Sequence, residues 1–494
     1  MNKALLPLSI LLALSVSAFA STNQIGSENA LRGLSACAST DTVVLTQSIT
    51  MTQSFSPLCP GGFKGVFDGN GKIISNLHIT ETAKFGAKVA FIALLDGGTL
   101  KDLTFQNPVI VVTKSNGNSP FEASVAVAVA ELKSGSVENV HVHGGSVRVE
   151  GGTAAHVDAG GLAGTAGGGS ISESDGDEIA ITGTGATVNV GGICGNVTGD
   201  VTLTSVTYSG DAPVAGSVAN NATLTSKYGA VTISQMGSNK SAVIDGEYDE
   251  ADAINFTADI SVNSVVLNRD FGGVPATITL PFEIDVANVV GAKFYNFGGM
   301  ATKADGKKAV QMNRVKEGLL AANTPYGVRP EGNTISFTGP VTFKKTEEAS
   351  VTVGEWKFVG LFAKYIVQPS DEGRLYGYAG ESKDGISQGK FVRFLSGSSF
   401  MALRAYMLNI DDAPSTNTSP APGLFKSASI NSNIEVPSEV DVEWNDEDEG
   451  TTALRRSLNA PMIFKSNKKF DLKGRSVGEK SKAKGAYYGK GGHE

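Results

Sequence analysis

With 494 residues the chain is long enough for two or three domains. Its formal net charge of −8 and pI near 5.4 provide no basic footprint for nucleic acid, so nucleic-acid binding is not expected. Glycine is abundant, at 60 residues, whereas aromatic residues make up only 7%, and this composition favours an all-β protein with many turns.

Met1 to Ala20 has the pattern of a secretory signal peptide. A single Lys3 precedes an apolar run from Leu5 to Leu14, and Ala18-Phe19-Ala20 places small residues at a cleavage site. The run is shorter than the ~20 residues that a membrane-spanning helix needs, and no later stretch is apolar for long enough. We therefore expect an exported protein, secreted or on the outer cell surface, without a transmembrane segment. A short membrane anchor is the alternative.

The chain has three cysteines. In an oxidising compartment Cys37 and Cys59 are candidates for a disulfide that closes the segment leading into the first repeat. The sequence leaves their pairing open. Cys194 lies among glycines and is expected to be a small buried residue rather than a nucleophile. The spacing of the three excludes a cysteine metal cluster.

A degraded repeat begins in the stretch from Phe63 to Thr80. Asp68-Gly69-Asn70-Gly71 predicts a tight turn with positive φ, and Ile74 and Leu77 predict a strand with one buried face. This pattern recurs at steps of 26 to 37 residues, within the range of solenoid coils. The segments that align with Ile74-Ser75-Asn76-Leu77 are Leu100-Lys101-Asp102-Leu103, Val137-Glu138-Asn139-Val140, Ile171-Ser172-Glu173-Ser174 and Val201-Thr202-Leu203-Thr204. Because one such unit cannot bury its own apolar face, stacking into a parallel β-helix over residues 21–245 is predicted.

Two motifs in this region resemble known bacterial surface proteins. The opening FKGVFDGNGKIISNL, from Phe63 to Leu77, is similar to the F-x-G-x-F-D-G-N-G-x-x-I-x-x-L opening of glycine-rich surface solenoids. The segments Gly160 to Gly164 and Gly191 to Gly195, with the strands that follow them, resemble the GLUG repeats of the same proteins. The resemblance covers about residues 40–235. It implies a right-handed β-helix on exported, adhesive proteins and implies no enzyme.

Residues 254–410 predict a second β domain. Alternating strands such as Ala276 to Leu280, Ile335 to Thr338 and Val351 to Phe362 are separated by Gly, Asn and Asp turns. Thr279-Leu280-Pro281-Phe282 and the predicted last strand, Phe400 to Tyr406, resemble the C-L-P-F and F-R-A-Y signatures of a β-sandwich module that follows repeats in bacterial surface proteins. The full form of the first signature is W-x-T-I-C-L-P-F, and its Trp and Cys are absent here.

The end of the chain predicts a linker and a basic tail. Residues 411–462 are predicted to be a linker, because residues 413–422 are rich in Pro, Ser, Thr and Asn. The acidic run from Glu443 to Glu449 is interpreted as a solvated spacer, since it lacks a calcium-loop pattern. In residues 463–494, Phe470 to Arg475 and Lys484 to Tyr488 are similar to the Y-D-L-x-G-R … K-G-x-Y core of type IX secretion sorting modules. The resemblance implies that the tail engages secretion machinery, and the alternative is a basic disordered tail.

No catalytic constellation stands out from the sequence. Asp102 and Glu173 share a register with Asn139 between them, and Glu138 falls one position out of line. None of these three carboxylates has an Arg, Lys or His at a fixed offset, so they are interpreted as solvated surface charges rather than a catalytic ladder. His141 and His143 should face the same side of one strand. A zinc or copper site that also uses His156 and Asp158 is an alternative, but no metal or other cofactor is predicted.

Sugar binding by aromatic platforms has one weak candidate. Tyr376 and Tyr378 share a face if their segment is a strand, and they are candidate ligand contacts, although core packing is favoured. The chain is therefore predicted to be an all-β protein with a right-handed parallel β-helix followed by an antiparallel β-sandwich. Its predicted role is adhesin-like or structural, binding polysaccharide or cell-surface ligands without catalysis. The alternatives are a polysaccharide-degrading enzyme or its accessory module, and a spacer without a ligand.

Overall fold

The structure is a computed structural model. It describes residues 21–446 except 84, 116–120, 153–154, 211, 372, 383–386 and 411–438, and it adds the backbone of three short strands between 469 and 489. The fold is nearly all β, with 58% strand and 3% helix, which confirms the predicted fold class. The chain divides into two compact units, residues 1–223 and 224–494, and each is described by itself.

The first unit contains one short helix and a succession of short strands. They are β1 (Ser21–Ile25), α1 (Glu28–Arg32), β2 (Asp41–Leu45), β3 (Ile49–Thr50), β4 (Val66–Ser75), β5 (His78–Ala83), β6 (Ala87–Val89), β7 (Ile92–Gln106), β8 (Val109–Lys114), β9 (Phe121–Val125), β10 (Val129–His143), β11 (Ser146–Glu150), β12 (Ala155–Gly160), β13 (Ala163–Ala166), β14 (Gly169–Ser172), β15 (Asp175–Asp177), β16 (Ala180–Thr184), β17 (Thr187–Gly191), β18 (Cys194–Val197), β19 (Val201–Thr204), β20 (Thr207–Ser209) and β21 (Ala215–Val218).

These strands wind into a β-solenoid of about 4 turns. Each coil passes through three parallel sheets. The first sheet stacks β4, β7 and β10 and continues through β13–β15 and β18–β20. The second sheet has the order β16-β11-β8-β5, and the third has the order β17-β12-β9-β6. The predicted stacking of repeat units is therefore present.

The predicted register is confirmed in the middle of the stack. Val137 pairs with Leu100 on one side and with Ile171 on the other. The predicted pairings at the two ends are wrong. Leu100 pairs with Phe67 rather than Ile74, and Ile171 pairs with Leu203 rather than Val201. A shift of two residues keeps the same side chains facing inward, so the apolar pattern does not separate Leu203 from Val201.

The predicted turn at Asp68 to Gly71 is a bulged corner within β4. Asp68 pairs with Lys101 and Lys72 pairs with Leu103, so three residues of β4 lie opposite Asp102 alone. Asn70 and Gly71 have φ of 51° and 66°. The chain bends here without reversing, because a bulge adds residues to one strand while pairing resumes beyond it.

Left-handed residues mark two corners on successive coils. The first corner falls at Asn70, Asp102, Asn139, Glu173 and Ser205, whose φ values lie between 50° and 53°. The second corner falls at Asn76, Asn107, Gly144 and Glu178, whose φ values lie between 50° and 67°. Asn, Asp and Gly tolerate this conformation better than other residues, which explains their frequency at these positions.

Glycine is required where the backbone is crowded. A Cβ on Gly160 would lie 1.9 Å from the carbonyl oxygen of Ala163, and a Cβ on Gly191 would lie 1.9 Å from that of Cys194. The two glycine segments of the sequence therefore hold equivalent tight bends in successive coils.

The second unit contains strands and two short 3₁₀ helices. The strands are β22 (Leu224–Tyr228), β23 (Val231–Met236), β24 (Asn239–Asp245), β25 (Ile260–Val262), β26 (Ser264–Asn268), β27 (Ala276–Leu280), β28 (Phe282–Asp285), β29 (Val289–Val290), β30 (Ala292–Thr302), β31 (Lys308–Arg314), β32 (Leu319–Leu320), β33 (Thr324–Pro330), β34 (Ser336–Phe337), β35 (Val341–Phe343), β36 (Ser350–Val353), β37 (Trp356–Gly360), β38 (Tyr365–Ile366), β39 (Leu375–Tyr378), β40 (Phe391–Arg393), β41 (Ser399–Phe400), β42 (Ala405–Asn409), β43 (Glu439–Asn445), β44 (Lys469–Asp471), β45 (Ser476–Val477) and β46 (Tyr487–Gly489), and the helices are Val286–Asn288 and Pro369–Asp371.

Antiparallel sheets dominate this unit and are consistent with the predicted β-sandwich. The largest has ten strands in the order β27-β33-β30-β31-β43-β40-β39-β42-β37-β36. The single strand predicted over Val351 to Phe362 is a hairpin, because Gly354, with φ of 60°, turns the chain between β36 and β37. The segment predicted as the last strand divides into β41 and β42, and Leu403, with φ of 60°, lies between them.

The range predicted as a linker contains a strand. Glu439–Asn445 forms β43, which pairs with β31 in parallel and with β40 antiparallel. Val440 is 1% exposed, and Trp444 packs against Tyr295 with ring centroids 4.8 Å apart. The acidic residues before Asp446 therefore belong to a folded sheet. Residues 447–462 lie outside the described residues, as does most of the predicted tail, 463–494.

Candidate functional site

A polar face lies between the two corners of the solenoid. Two outward residues per coil form columns that run across the coils in register. The first column is Ile73, Thr104, His141, Asp175 and Thr207, and the second is Ser75, Gln106, His143, Asp177 and Ser209. We call these ten residues the corner face. The intervening residues Ile74, Phe105 and Val142 are completely buried. Successive rungs are ~4.8 Å apart, as in any parallel sheet.

A chain of polar contacts begins at the first corner. Lys101 Nζ lies 3.0 Å from Asp68 Oδ2 and 3.0 Å from Asp102 Oδ2. Asn139 Nδ2 donates a hydrogen bond of 2.8 Å to Asp102 Oδ1. The bond from Asn139, and then the contact with Lys101, lower the pKa of the Asp102 carboxyl. The bonds to Asp102 and Asp68 raise the pKa of the Lys101 ammonium.

The same contacts continue onto the corner face through His141. Its Nε2 lies 2.9 Å from Asn139 Oδ1, and its Nδ1 lies 2.6 Å from Asp175 Oδ2. Because the amide nitrogen of Asn139 is directed at the Asp102 carboxylate, its oxygen must accept from His141. Both ring nitrogens of His141 therefore face oxygen atoms. The network links residues on three successive coils, β7, β10 and β15, and also reaches β4.

The Asn139→Asp substitution should destabilise the chain near neutral pH by about 1 kcal/mol, because it replaces a donor with a carboxylate beside Asp102. Asp102 has a lowered folded pKa, so its stabilising contribution is present above its ordinary value of 3.8 and is lost as pH falls through the folded value. The difference between Asn139→Asp and wild type should therefore shrink on acidification, since one of the paired carboxyls is then protonated. Urea unfolding at pH 7 and pH 3 measures this difference.

Glu173→Gln is the matched control for that substitution. Glu173 occupies the same corner one coil further on and is exposed. Its replacement should leave the unfolding free energy within about 0.5 kcal/mol of wild type at both pH values. An Asn139→Asp protein as stable as wild type at pH 7 would show that the contact with Asp102 carries no stabilising energy.

The second column of the corner face contains His143, which lies farther from Asp175 than His141 does. His143 Nδ1 lies 4.0 Å from Asp175 Oδ1, too far for a direct hydrogen bond, and that oxygen is buried without a partner among the described residues. Asp177 accepts a hydrogen bond from the Ser209 hydroxyl. The rings of His141 and His143 are parallel, with centroids 6.1 Å apart, so the two histidines lie on one side of the strand, as predicted. His143 and Gln106 thus present polar groups outward.

Asp175 and Asp177 form a carboxylate pair that the sequence reasoning missed. They lie two residues apart on β15, about 6.6 Å along the strand, within the separation that glycoside hydrolysis uses. However, the Asp175 carboxylate contacts the His141 ring, and Asp177 is exposed. Neither has the apolar surroundings that keep a general acid protonated. The sequence signal was available, because Asp175-Gly176-Asp177 follows His141-Val142-His143 by 34 residues.

The shared register of Asp102, Asn139 and Glu173 is present at the first corner. Asp102 has a basic partner in its sequence neighbour Lys101, and the intervening Asn139 contacts His141. Lys101 was overlooked because it is the immediate neighbour of Asp102. Lys101 offsets the negative charge of Asp102, and Asn139 links Asp102 to His141, so the corner has the character of a structural network.

His156 and Asp158 lie on β12, in the third sheet, and not on the corner face. His156 Nε2 is 3.0 Å from Asp158 Oδ1, and Asp158 is 6% exposed. Asp158 also accepts hydrogen bonds from Asn189 Nδ2 at 2.7 Å and Thr165 Oγ1 at 3.1 Å. Its buried charge is thereby satisfied. Over the residues that the structure describes, no group of three or more His, Cys, Asp or Glu side chains is arranged to hold a metal ion.

The aromatic candidates lie in a core. Tyr376 is 0% exposed and Tyr378 is 9% exposed. The Tyr376 ring packs on Trp356 with centroids 5.5 Å apart, and Tyr378 packs on Phe391 at the same distance. Neither ring is on a surface where a sugar can stack. Every residue of β39 is buried, so its side chains contact protein on both faces of the sheet.

The cysteines take two roles. Cys37 and Cys59 are joined by a disulfide. Cys194 is completely buried, and burial raises the pKa of its thiol to about 12, so the reactive thiolate is disfavoured.

An open cavity of about 320 Å³ adjoins the second corner. Six of its eight lining residues are polar, among them Thr52, Gln53, Asn76, His78 and Asn107. It extends the polar surface beyond the corner face with amide, hydroxyl and imidazole groups that hydrogen-bond neutral polar ligands.

No family model, curated protein or solved structure matches the chain. Across the part of the chain that the structure describes, none of the helices has the length and apolar character needed to cross a membrane.

Proposed function

We propose that the chain is an exported cell-surface protein, adhesin-like, that binds polysaccharide along the corner face without catalysis. The observation that carries the proposal is the pair of in-register columns on a buried, packed backing, in which every side chain except Ile73 can form hydrogen bonds. Their ~4.8 Å rung spacing repeats along the solenoid, which suits an extended polymer whose hydroxyl groups recur along its length. Polar side chains in fixed positions bind such a ligand with little loss of side-chain entropy.

Export is part of this proposal and has separate support. The disulfide between Cys37 and Cys59 is typical of an oxidising compartment outside the cytosol. The signal-peptide pattern of Met1 to Ala20 and the resemblance of residues 463–494 to a type IX sorting module point the same way. Two further identifications are proposed with export. The two glycine segments are GLUG repeats, and the β-sandwich is the module that follows repeats in bacterial surface proteins.

A polysaccharide-degrading enzyme is the second candidate, and the carboxylate pair Asp175 and Asp177 favours it. An adhesin and an enzyme are separated by applying residues 21–494 to a glycan array and measuring reducing-sugar release on the glycans that bind. The proposal expects binding without release. Release that is lost in Asp177→Asn would establish the enzyme instead. Silence across the array would favour a spacer without a ligand and would overturn the binding proposal.

The export part is tested in cells. Deleting residues 464–494 should leave the protein folded but prevent its delivery to the surface, as measured by fractionation and surface protease digestion. Unchanged surface delivery of the truncated chain would contradict the sorting role of the tail.

A further inference from the structure

Strand β43 completes the ten-stranded sheet of the second unit from a separate part of the chain. Five of its residues, Asp441–Asn445, pair in parallel with Ala309–Asn313 of β31. On its other edge, Val440 pairs with Phe391 and Glu439 with Val392 of β40. Since β43 lies between β31 and β40 in the sheet order, it is the strand that joins the two halves edge to edge. Without it, both neighbours would present unpaired backbone groups.

Side chains of β43 contact residues on both sides of the strand. Asp441 makes ion pairs with Lys303 at 3.0 Å on one side and with Lys390 at 3.2 Å on the other. Hydrogen bonds from Lys303 and Lys390 lower the pKa of the Asp441 carboxyl, against the raising effect of burial, which is the largest single influence. Glu443 accepts a hydrogen bond of 2.7 Å from Gln311 Nε2. The two ion pairs and this hydrogen bond match the register of the inserted strand.

An aromatic anchor and a terminal carboxylate add to these contacts. Trp444 packs edge-on against Tyr295 and against Tyr378, with centroids 4.8 Å and 6.3 Å apart. Asp446 accepts from the Tyr295 hydroxyl at 2.7 Å and from Arg329 at 3.2 Å. The eight residues 439–446 therefore carry a complete recognition motif: backbone pairing, charge and an aromatic side chain packed against two tyrosines.

The connection to β43 is longer than the geometry requires. The sheet order β43-β40-β39-β42 places β42 three strands from β43, about 14 Å at the usual strand spacing. The pairings of β39 and β40 put the end of β42, at Asn409, and the start of β43, at Glu439, at the same end of the sheet. About five extended residues span that distance. The chain supplies residues 410–438, so its covalent length also reaches a neighbouring molecule.

We propose that β43 is an exchangeable strand and that the slot between β31 and β40 accepts β43 of a second copy of this chain. Exchange preserves every contact described above, because donor and acceptor are identical in the two copies. Because the chain's own β43 is covalently attached, its pairing within one chain does not depend on protein concentration, so the closed monomer dominates in dilute solution. Exchange competes where copies are concentrated.

Cross-linking between distinguishable copies tests the proposal. Gln311 and Glu443 are opposite each other across the β31–β43 pairing. One full-length chain carries Gln311→Cys, and a second, of different mass, carries Glu443→Cys. The two are mixed at about 10 μM and at about 1 mM, equilibrated in mild urea and treated with a short bis-maleimide. The proposal expects an interchain product that rises steeply with concentration.

Three controls make the result decisive. A chain with both substitutions should cross-link within itself, which establishes that the pair reacts. Glu331 is exposed and lies outside β43 and its slot. A mixture of a Glu331→Cys chain with the Glu443→Cys chain therefore measures the interchain product that random collision gives. Adding Trp444→Ser to the Glu443→Cys chain should reduce the interchain product severalfold. If the double variant reacts within itself while the 1 mM mixture gives no more product than the Glu331→Cys control, β43 does not exchange.

Discussion

Phe91→Ala should lower the free energy of unfolding of the first unit by about 3–5 kcal/mol, the range expected when a buried phenylalanine is truncated. Phe91 is completely buried, and three rings pack around it: Phe67 with centroids 5.1 Å away, Phe105 at 5.2 Å and Phe55 at 5.4 Å. Because these rings come from separate coils, a cavity at Phe91 removes contacts that hold the stack together. Urea unfolding monitored by circular dichroism measures the loss.

Phe85→Ala is the control for the Phe91 substitution. Phe85 is 63% exposed, so its truncation should change the unfolding free energy by no more than about 0.5 kcal/mol. A Phe91→Ala protein destabilised by less than about 1 kcal/mol would contradict the aromatic packing described for the solenoid core.

Removal of the Cys37–Cys59 disulfide is the second large effect. The bond joins residues 22 positions apart, and a loop of that length stabilises a fold by about 3 kcal/mol through the entropy of the unfolded chain. The double substitution Cys37→Ser and Cys59→Ser should therefore destabilise the first unit by about that amount. Adding a thiol reductant to wild type should have the same effect.

The double-serine variant itself supplies the control for the reductant, which should leave its stability unchanged. Cys194→Ala removes the buried free thiol and should keep the full response to reductant, since it leaves the disulfide intact. Wild-type protein whose stability is insensitive to reductant would contradict a stabilising role for this bond.

The solenoid was predictable from local patterns, but its exact pairing was not. The alternation around Ile74 and Leu77 indicates buried positions correctly, since both are completely buried. It does not specify which residues pair at the ends of the stack, because apolar residues two positions apart fit the same face. The bulge opposite Asp102 depends on contacts between coils, and no local pattern encodes its length.

Strand β43 was missed because its partners are distant in sequence. The acidic run from Glu443 to Glu449 begins within this strand, and such a run is usually solvated when viewed alone. Here Lys303 and Lys390 neutralise Asp441, and both precede it by many residues. The prediction of a linker reflects local composition, whereas the strand reflects a tertiary slot with complementary charge. Tertiary context commonly overrides local propensity in strands.

The corner face was only partly visible in the sequence. The shared side of His141 and His143 follows from strand geometry, and the spacing to Asp175 follows from the repeat. The bond between Asn139 and His141 was not predictable, because Asn139 occupies a left-handed corner whose side-chain direction depends on the coil. The sequence repeat predicts which residues form the two columns of the corner face. The backbone conformation at the corners determines which corner side chains bond to those columns.

Direct titration of a glycan selected on the array tests the central claim that the corner face binds polysaccharide. Calorimetry would compare wild type with a Gln106→Ala and His143→Ala double variant, which leaves the Asn139–His141 network intact. A matched control carries Thr113→Ala and Thr182→Ala in the second sheet. We expect the face variant to bind about tenfold more weakly and the control to bind as wild type does. Equal affinity of the face variant and wild type would contradict the account.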